Sequence, residues 1–324
     1  MATSRLLVRT GLSLAGFRSP REVQSFLEAS GEASGEALRR EPFFELSYTL
    51  DEVFLRGLDF LKDRVLSVHA PCPAGEFFPN LGSRDPGVRR DSIEMIRRSA
   101  GTAAGFGAGR LVVHPGYTTD SPVPVDPDRR LASLKAVSDR DRRYLLAREG
   151  SICGREYCES AAYRAHLEIA IDGLGKAAEA CAGEGAALAV ENLNPRITYL
   201  FQLPSELVAL AQALPGIRIC ADIGHLWISS LAHGFDFSKG LADILATGRV
   251  LAAHVHDNAS QLGPPPVFGD DHALLGSGNV PIREALRLLL GAGVSDLIIE
   301  TTTLPVQNFE RLSALLSGPL SRPG

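Results

Sequence analysis

A chain of 324 residues, 45 % hydrophobic and 22 % charged, is long enough for one large core, and a single α/β barrel spans this length. Its net charge of −5 supplies no basic field to capture a phosphate backbone, which argues against nucleic acid as a partner. No apolar run reaches the roughly 18–20 residues that a membrane span needs. Cys72, Cys153, Cys158, Cys181 and Cys220 are odd in number and scattered, unlike the framework of a small secreted domain, so they read as free thiols in a reducing cytoplasm. Cys153 and Cys158 lack the second Cys/His pair that would complete a structural zinc site.

The opening stretch from Met1 to Arg9 has no acid, but Arg9 interrupts any hydrophobic signal core, and a first strand from Leu6 to Leu12 explains it better. Ser19-Pro20 opens a helix to about Leu27, and Gly31 to Gly35 is a small-residue loop. A second strand runs from Phe43 to Tyr48, Asp51 caps a helix through Leu61, and a third strand covers Val65 to His69. The segment Pro71 to Pro86 is a long Pro- and Gly-containing loop leaving that strand's end, with Phe77 and Phe78 as candidates for an apolar pocket wall. Ile93, Ile96, Ala100 and Ala103 recur at helical spacing before a strand at Arg110 to His114. Tyr117 to Glu159 is the longest insertion, with a charged helix from about Asp128 to Arg148 that reads as a solvated helix face, or else as a lid or a contact between copies in a homo-oligomer.

The alternation then continues. A helix bears Leu167, Ile171, Leu174, Ala178 and Cys181 and precedes the strand Ala187 to Glu191. A helix from Pro204 to Ala213 leads to the strand Ile217 to Asp222, one from Phe237 to Ala246 to the strand Val250 to Val255, and one from Pro281 to Leu290 to the strand Asp296 to Thr301. A last helix carries Phe309, Leu312 and Leu316. Eight β-α units over residues 1–324 predict one (β/α)8 TIM barrel with long loops over its C-terminal mouth. An open dinucleotide-binding sheet is excluded by the lack of a Gly-x-Gly-x-x-Gly after the first strand.

Six of the apolar runs end in imidazoles or carboxylates: at His69, His114, Glu191, Asp222 with His225, His254, and Glu300, and Asp270 and His272 follow soon after His254. Parallel barrels keep their chemistry at this end of the strands. Mixed carboxylate and imidazole donors suit Zn²⁺, Mn²⁺ or Co²⁺, whereas an all-oxygen set would suit Mg²⁺ or Ca²⁺. His166 and His233 are read as structural or solvent-facing, and Trp227 either stacks on a sugar face or fills the barrel top.

These stretches together resemble the xylose-isomerase-like barrels, which include sugar phosphate isomerases and epimerases and the endonuclease-four-type apurinic endonucleases. The stretches are Val68-His-Ala-Pro71, His114-Pro-Gly116, Glu191-Asn192, Asp222-Ile-Gly-His225, His254-Val-His-Asp257, Asp270-Asp-His272 with Leu275-Gly-Ser-Gly278, and Ile299-Glu300. The endonuclease branch implies a cluster of three zinc ions on His69, His114, Glu191, Asp222, His225, His254, Asp270, His272 and Glu300. The sugar branch implies one ion on Glu191, Asp222, His254 and Glu300, a set nested in the larger one.

The loop after His69 has no basic residue before Arg84, and a duplex-kinking enzyme would need phosphate-gripping loops there. The expectation is therefore an isomerase or epimerase of a small sugar or polyol, with one to three divalent ions, Glu191, Glu300 and His225 as catalytic residues, and an enediolate formed by proton transfer. A dehydratase of the same substrates, a phosphodiesterase on abasic DNA and a non-catalytic metabolite-sensing barrel are the alternatives.

Overall fold

Strands buried on both faces read as continuous apolar runs, and eight such runs close into a parallel barrel. In this computed structural model, which describes residues 7–32, 41–135, 139–147 and 150–318, they are β1 (Arg9–Ser13), β2 (Phe43–Leu46), β3 (Val65–His69), β4 (Arg110–Val113), β5 (Ala187–Glu191), β6 (Arg218–Asp222), β7 (Val250–Val255) and β8 (Asp296–Ile299). Each pairs with the next and β8 with β1, so no edge is left open. The TIM-barrel expectation is met, with every strand inside or overlapping the stretch expected for it. The start of the first predicted strand at Leu6 and the loop residues 33–35 lie outside the described residues.

Side chains alternate across a strand, so residues two apart share a face. Val112, Ala189, Cys220, Ala252 and Ile298 form an apolar layer inside the barrel, together with Leu66. Two positions further along the same five strands stand His114, Glu191, Asp222, His254 and Glu300. The polar cluster at the mouth is thus the next storey of the barrel interior, resting on an apolar floor. A second, larger core lies between the barrel and its helices, with Phe26, Phe44, Leu174, Leu210, Leu286 and Phe309 among its fully or nearly buried members.

Two local expectations are corrected, and one helix is added. The helix capped by Asp51, whose carboxylate accepts from Phe54 N at 2.8 Å, ends at Arg56 because Gly57 terminates it, and only a 3-10 turn at Asp59–Leu61 follows. The single charged helix from Asp128 to Arg148 is replaced by helices at Pro127–Lys135 and Asp139–Arg142, with residues 136–138 and 148–149 outside the described set. Beyond Arg142 the chain turns back on itself: Leu146 N donates to Ile152 O at 2.9 Å and Gly154 N to Tyr144 O at 2.9 Å, which helical geometry would forbid. A helix at Ile223–His233 begins where β6 ends, with Asp222 as its cap. No helix of the described residues is long and apolar enough to cross a membrane.

Candidate metal centre and active site

Glu191 sits at the centre of the barrel mouth, fully buried. Its Oε2 faces His69 Nε2 at 3.0 Å and His114 Nε2 at 3.5 Å, while Oε1 faces His254 Nδ1 at 3.3 Å and His225 Nδ1 at 3.4 Å. His254 Nδ1 is also 3.5 Å from Glu300 Oε2 and 3.9 Å from Asp222 Oδ2. Further out, Asp270 Oδ1 lies 3.5 Å from His225 Nε2 and 3.4 Å from His272 Nε2. Potential ligand atoms collect in three groups: His69, His114 and Glu191; Glu191, Asp222, His254 and Glu300; and His225, His256, Asp270 and His272. All nine residues singled out in the sequence fall into these groups, which hold six of the eight histidines of the chain.

The second nitrogen of most rings is held from outside. His69 Nδ1 donates to Ala70 O at 3.0 Å, His225 Nδ1 to Asn192 O at 3.1 Å and His272 Nδ1 to Glu300 O at 2.9 Å. His114 Nδ1 meets the Tyr117 hydroxyl at 3.2 Å, and His254 Nε2 donates to Glu45 at 3.2 Å. Such outer contacts fix the ring orientation and turn the other nitrogen inward, where it can ligate a metal ion once its proton is released.

The carboxylates are oriented in the same way. Asp222 Oδ1 accepts from His225 N at 2.6 Å and from His256 Nε2 at 3.0 Å, and Asp270 Oδ2 accepts from Asn194 Nδ2 at 2.6 Å. The other oxygen of each, Asp222 Oδ2 and Asp270 Oδ1, is buried without a hydrogen-bond partner. A buried carboxylate oxygen left unpaired is costly, and a cation resolves the cost at both places. The donor set fits one or more divalent ions.

Electrostatics agree with that. Burial works to raise the Glu191 carboxyl, but the charge on His254 and hydrogen bonds from His225, His254 and His69 outweigh it and hold the group well below the usual carboxylate range. Burial works to lower His225 and His254; Asp222, Asp270 and Glu191 overcome it at His225, Cys220 with Glu45, Glu300 and Glu191 at His254, and both rings are pushed well above their usual value. His69 is raised in the same manner by Glu191. Burial alone dominates at His114 and drives its ring down to about 3, so that ring is neutral and ready to donate a lone pair.

A cavity of about 300 Å³ opens above the cluster, walled by Tyr48, Phe78, Leu193, Tyr199 and residues of the insertion, with His114, His225, Asp270, His272 and Glu300 in its floor. Phe78 lines it and Phe77 does not, because the two alternate on a short ribbon that pairs Phe77–Phe78 with Val123–Pro124. Trp227 is placed away from the cavity, its indole donating to Ser260 O at 3.0 Å and its ring edge against Phe237; filling, not stacking on substrate, is its role. His166 and His233 are structural: the first bonds Gly82 O at 2.7 Å, the second Gln202 at 3.1 Å.

A family model described as xylose isomerase-like TIM barrel matches residues 48–311. The chain belongs to that family. Among solved structures this barrel is similar to a D-tagatose 3-epimerase-like protein, with a TM-score of 0.65 at 20 % identity over 95 % of this chain and 97 % of the other. It is also similar to the apo form of a 3-keto-D-glucoside 4-epimerase from E. coli, TM-score 0.62, 15 % identity, over 96 % of this chain and 100 % of that one. An L-ribulose 3-epimerase follows at 0.60 and 13 % identity, covering 96 % and 86 %. At such identities these likenesses bear on the fold alone. No curated protein matches the chain in sequence.

One residue that shapes the site was missed in the sequence, and two were named there without a role. Glu45 looks like an outward residue between Phe44 and Leu46, yet it is fully buried, bonded to His254 and to Ser67 Oγ at 2.7 Å. His256, one residue past the end of β7, steers Asp222. Asp257, next to it, is no ligand: its two oxygens accept from the backbone nitrogens of Asn258, Gly276, Gly278 and Val280 at 2.9–3.1 Å and fold the loop that carries Asp270 and His272.

His256 reaches Asp222 only because position 224 is glycine. A Cβ there would come within 2.2 Å of the His256 ring. Gly→Ala inside a helix ordinarily gains about 1 kcal/mol, so Gly224→Ala is diagnostic. It should instead lose about 1–3 kcal/mol in a denaturant titration, the scale of an overpacked core, and lower the metal content measured on the folded protein.

Proposed function

We propose that the protein is a divalent-metal-dependent isomerase or epimerase of a small sugar or polyol. The observation that carries the reading is the placing of two carboxylates, Glu191 and Glu300, against one imidazole nitrogen, at 3.3 and 3.5 Å from His254 Nδ1, beneath a cavity of sugar size. The structural neighbours whose printed names are sugar 3- and 4-epimerases support the same class.

Glu191, Asp222, His254 and Glu300 would hold one ion, and His69 and His114 with Glu191, and His225, Asp270 and His272, would hold others, with Zn²⁺, Mn²⁺ and Co²⁺ all matching the donors. When bound, a divalent ion polarises neighbouring hydroxyl and carbonyl oxygens and acidifies the carbon-bound proton between them. Glu191 and Glu300 take and return that proton. Return to the opposite face of the same carbon is epimerisation; return to the neighbouring carbon is isomerisation. His225, its Nδ1 tied to Asn192 O, turns Nε2 toward Asp270, so it would act on substrate through the ion it helps to hold. Pro127, Asp128, Arg130 and Leu131 of the insertion close one side of the cavity and act as a lid that keeps water from the reactive enediolate.

The three complete ligand groups favour one other reading, a phosphodiesterase of the endonuclease-four kind. The walled cavity counts against it, because a duplex needs an open face. Incubation with a panel of ketoses in heavy water, beside an abasic duplex oligonucleotide, separates the two. Deuterium in the sugar and an intact oligonucleotide are expected.

A further inference from the structure

Two guanidinium groups in the cavity wall take no part in that chemistry. Arg130 projects from the helix Pro127–Lys135 and Arg196 from the loop after β5, and both line the cavity with His114, Asp270 and Glu300. Both are partly buried. Arg130 Nη1 donates to Val125 O at 3.0 Å and Arg196 Nη1 to Ser151 Oγ at 2.9 Å. Neither has a carboxylate partner among the described residues. Two other arginines of the same insertion differ: Arg129 pairs with Glu76 at 2.9 Å and Arg155 with Glu159 at 3.2 Å.

A guanidinium presents several N–H donors in a fixed fork that matches an oxyanion, and neither fork here is engaged by a direct carboxylate pair. The carboxylates of the floor are engaged with the histidines and are the proposed ligands of cations. Arg130 is also close to that floor. Its Cζ lies 5.3 Å from the Phe78 ring centroid, and the His114 ring lies 4.8 Å from the same centroid, so the guanidinium and one imidazole of the cluster pack against the same aromatic ring. The cavity lining therefore carries two chemistries, metal-ligating groups and guanidinium cations.

We infer that Arg130 and Arg196 form an oxyanion subsite, so that the substrate is a sugar bearing a phosphate or carboxylate, with its polyol end over Glu191 and Glu300 and its anionic end between the two guanidiniums. The inference deepens the isomerase or epimerase reading and rests on it for the reacting end only.

The test uses the metal-loaded full-length protein with a neutral ketohexose, its 6-phosphate and a hexuronate. Deuterium exchange should favour one of the two anionic sugars over the neutral one by about 100-fold in kcat/KM, and which one it is distinguishes phosphate from carboxylate. Arg130→Gln and Arg196→Gln should each reduce that preference by about 10- to 100-fold through KM, the scale of a charged hydrogen bond. Arg130→Lys, which keeps the charge without the fork, should recover part of it. Independently of turnover, inorganic phosphate titrated calorimetrically should bind at least about tenfold more weakly to each Gln variant than to the parent protein. Equal use of neutral and anionic sugars, or phosphate affinity indifferent to both substitutions, would overturn the subsite. Arginine-dependent phosphate binding with no exchange on any sugar would uphold the subsite and defeat the isomerase reading.

Discussion

Glu191→Gln should lower turnover by about a thousandfold or more while leaving the far-ultraviolet circular dichroism unchanged. Gln has the shape of Glu, so the apolar floor of Val112, Ala189, Cys220, Ala252 and Ile298 is not disturbed. What is lost is one side chain serving two ligand groups at once, Oε2 toward His69 and His114 and Oε1 toward His254 and His225. Losing a positioned base alone costs about 10²–10⁴ in rate, and loss of an ion adds to it. Glu300→Gln should match the rate defect with a smaller loss of bound metal, because Glu300 belongs to one group and Glu191 to two. Metal analysis beside the kinetics separates the two variants. Activity within tenfold of the parent in either would break the two-carboxylate mechanism.

Stripping metal with a chelator should abolish activity and lower the melting temperature by on the order of 10 °C, both reversed by add-back of Zn²⁺, Mn²⁺ or Co²⁺. An ion present at a thousand times its dissociation constant stabilises by about 4 kcal/mol, and each kcal/mol moves Tm by about 2–4 °C in a domain approaching this size. The pH dependence has a definite sign. Burial lowers His69, His225 and His254, but the carboxylates around them, joined at His254 by Cys220, raise all three, so in the metal-free protein these rings hold protons to higher pH than a free imidazole does. An incoming ion must displace those protons. Apparent affinity should fall as pH drops, and calorimetry in buffers of different ionisation heat should register proton release on binding. An unchanged Tm with no proton release would contradict a preformed metal centre.

Much of this site was legible because a parallel barrel strand advertises itself twice, as a short apolar run and by the polar residue at its end. His69, His114, Glu191, Asp222 with His225, His254 and Glu300 were found that way, Asp270 and His272 stood out as donors soon after His254, and the family resemblance gathered all nine into one ligand set. Glu45 was not found because its polar atoms serve a neighbouring ring inside the barrel, and nothing in Phe43-Phe-Glu-Leu46 separates an inward acid from an outward one. The helix Ile223–His233 escaped because eight of its eleven residues are buried, which leaves no polar stripe for a helical period to show against. Arg130 lies on a short charged helix and Arg196 in a loop, and neither stretch marks which of its charges faces a cavity that only the folded chain brings together. The cap at Asp222 was hidden by its second role, since one carboxylate both starts a helix and faces the ligand cluster.

Deuterium exchange is the most direct test of the central claim that Glu191 and Glu300 move a carbon-bound proton of a sugar. The metal-loaded protein is incubated in heavy water with neutral, phosphorylated and carboxylated sugars, and the carbon-bound hydrogens are followed by NMR, with an abasic duplex oligonucleotide treated in parallel. The account predicts deuterium at a carbon beside the carbonyl of at least one sugar, loss of that signal in Glu191→Gln and Glu300→Gln, and an intact oligonucleotide. Efficient incision of the oligonucleotide with no exchange on any sugar would contradict it.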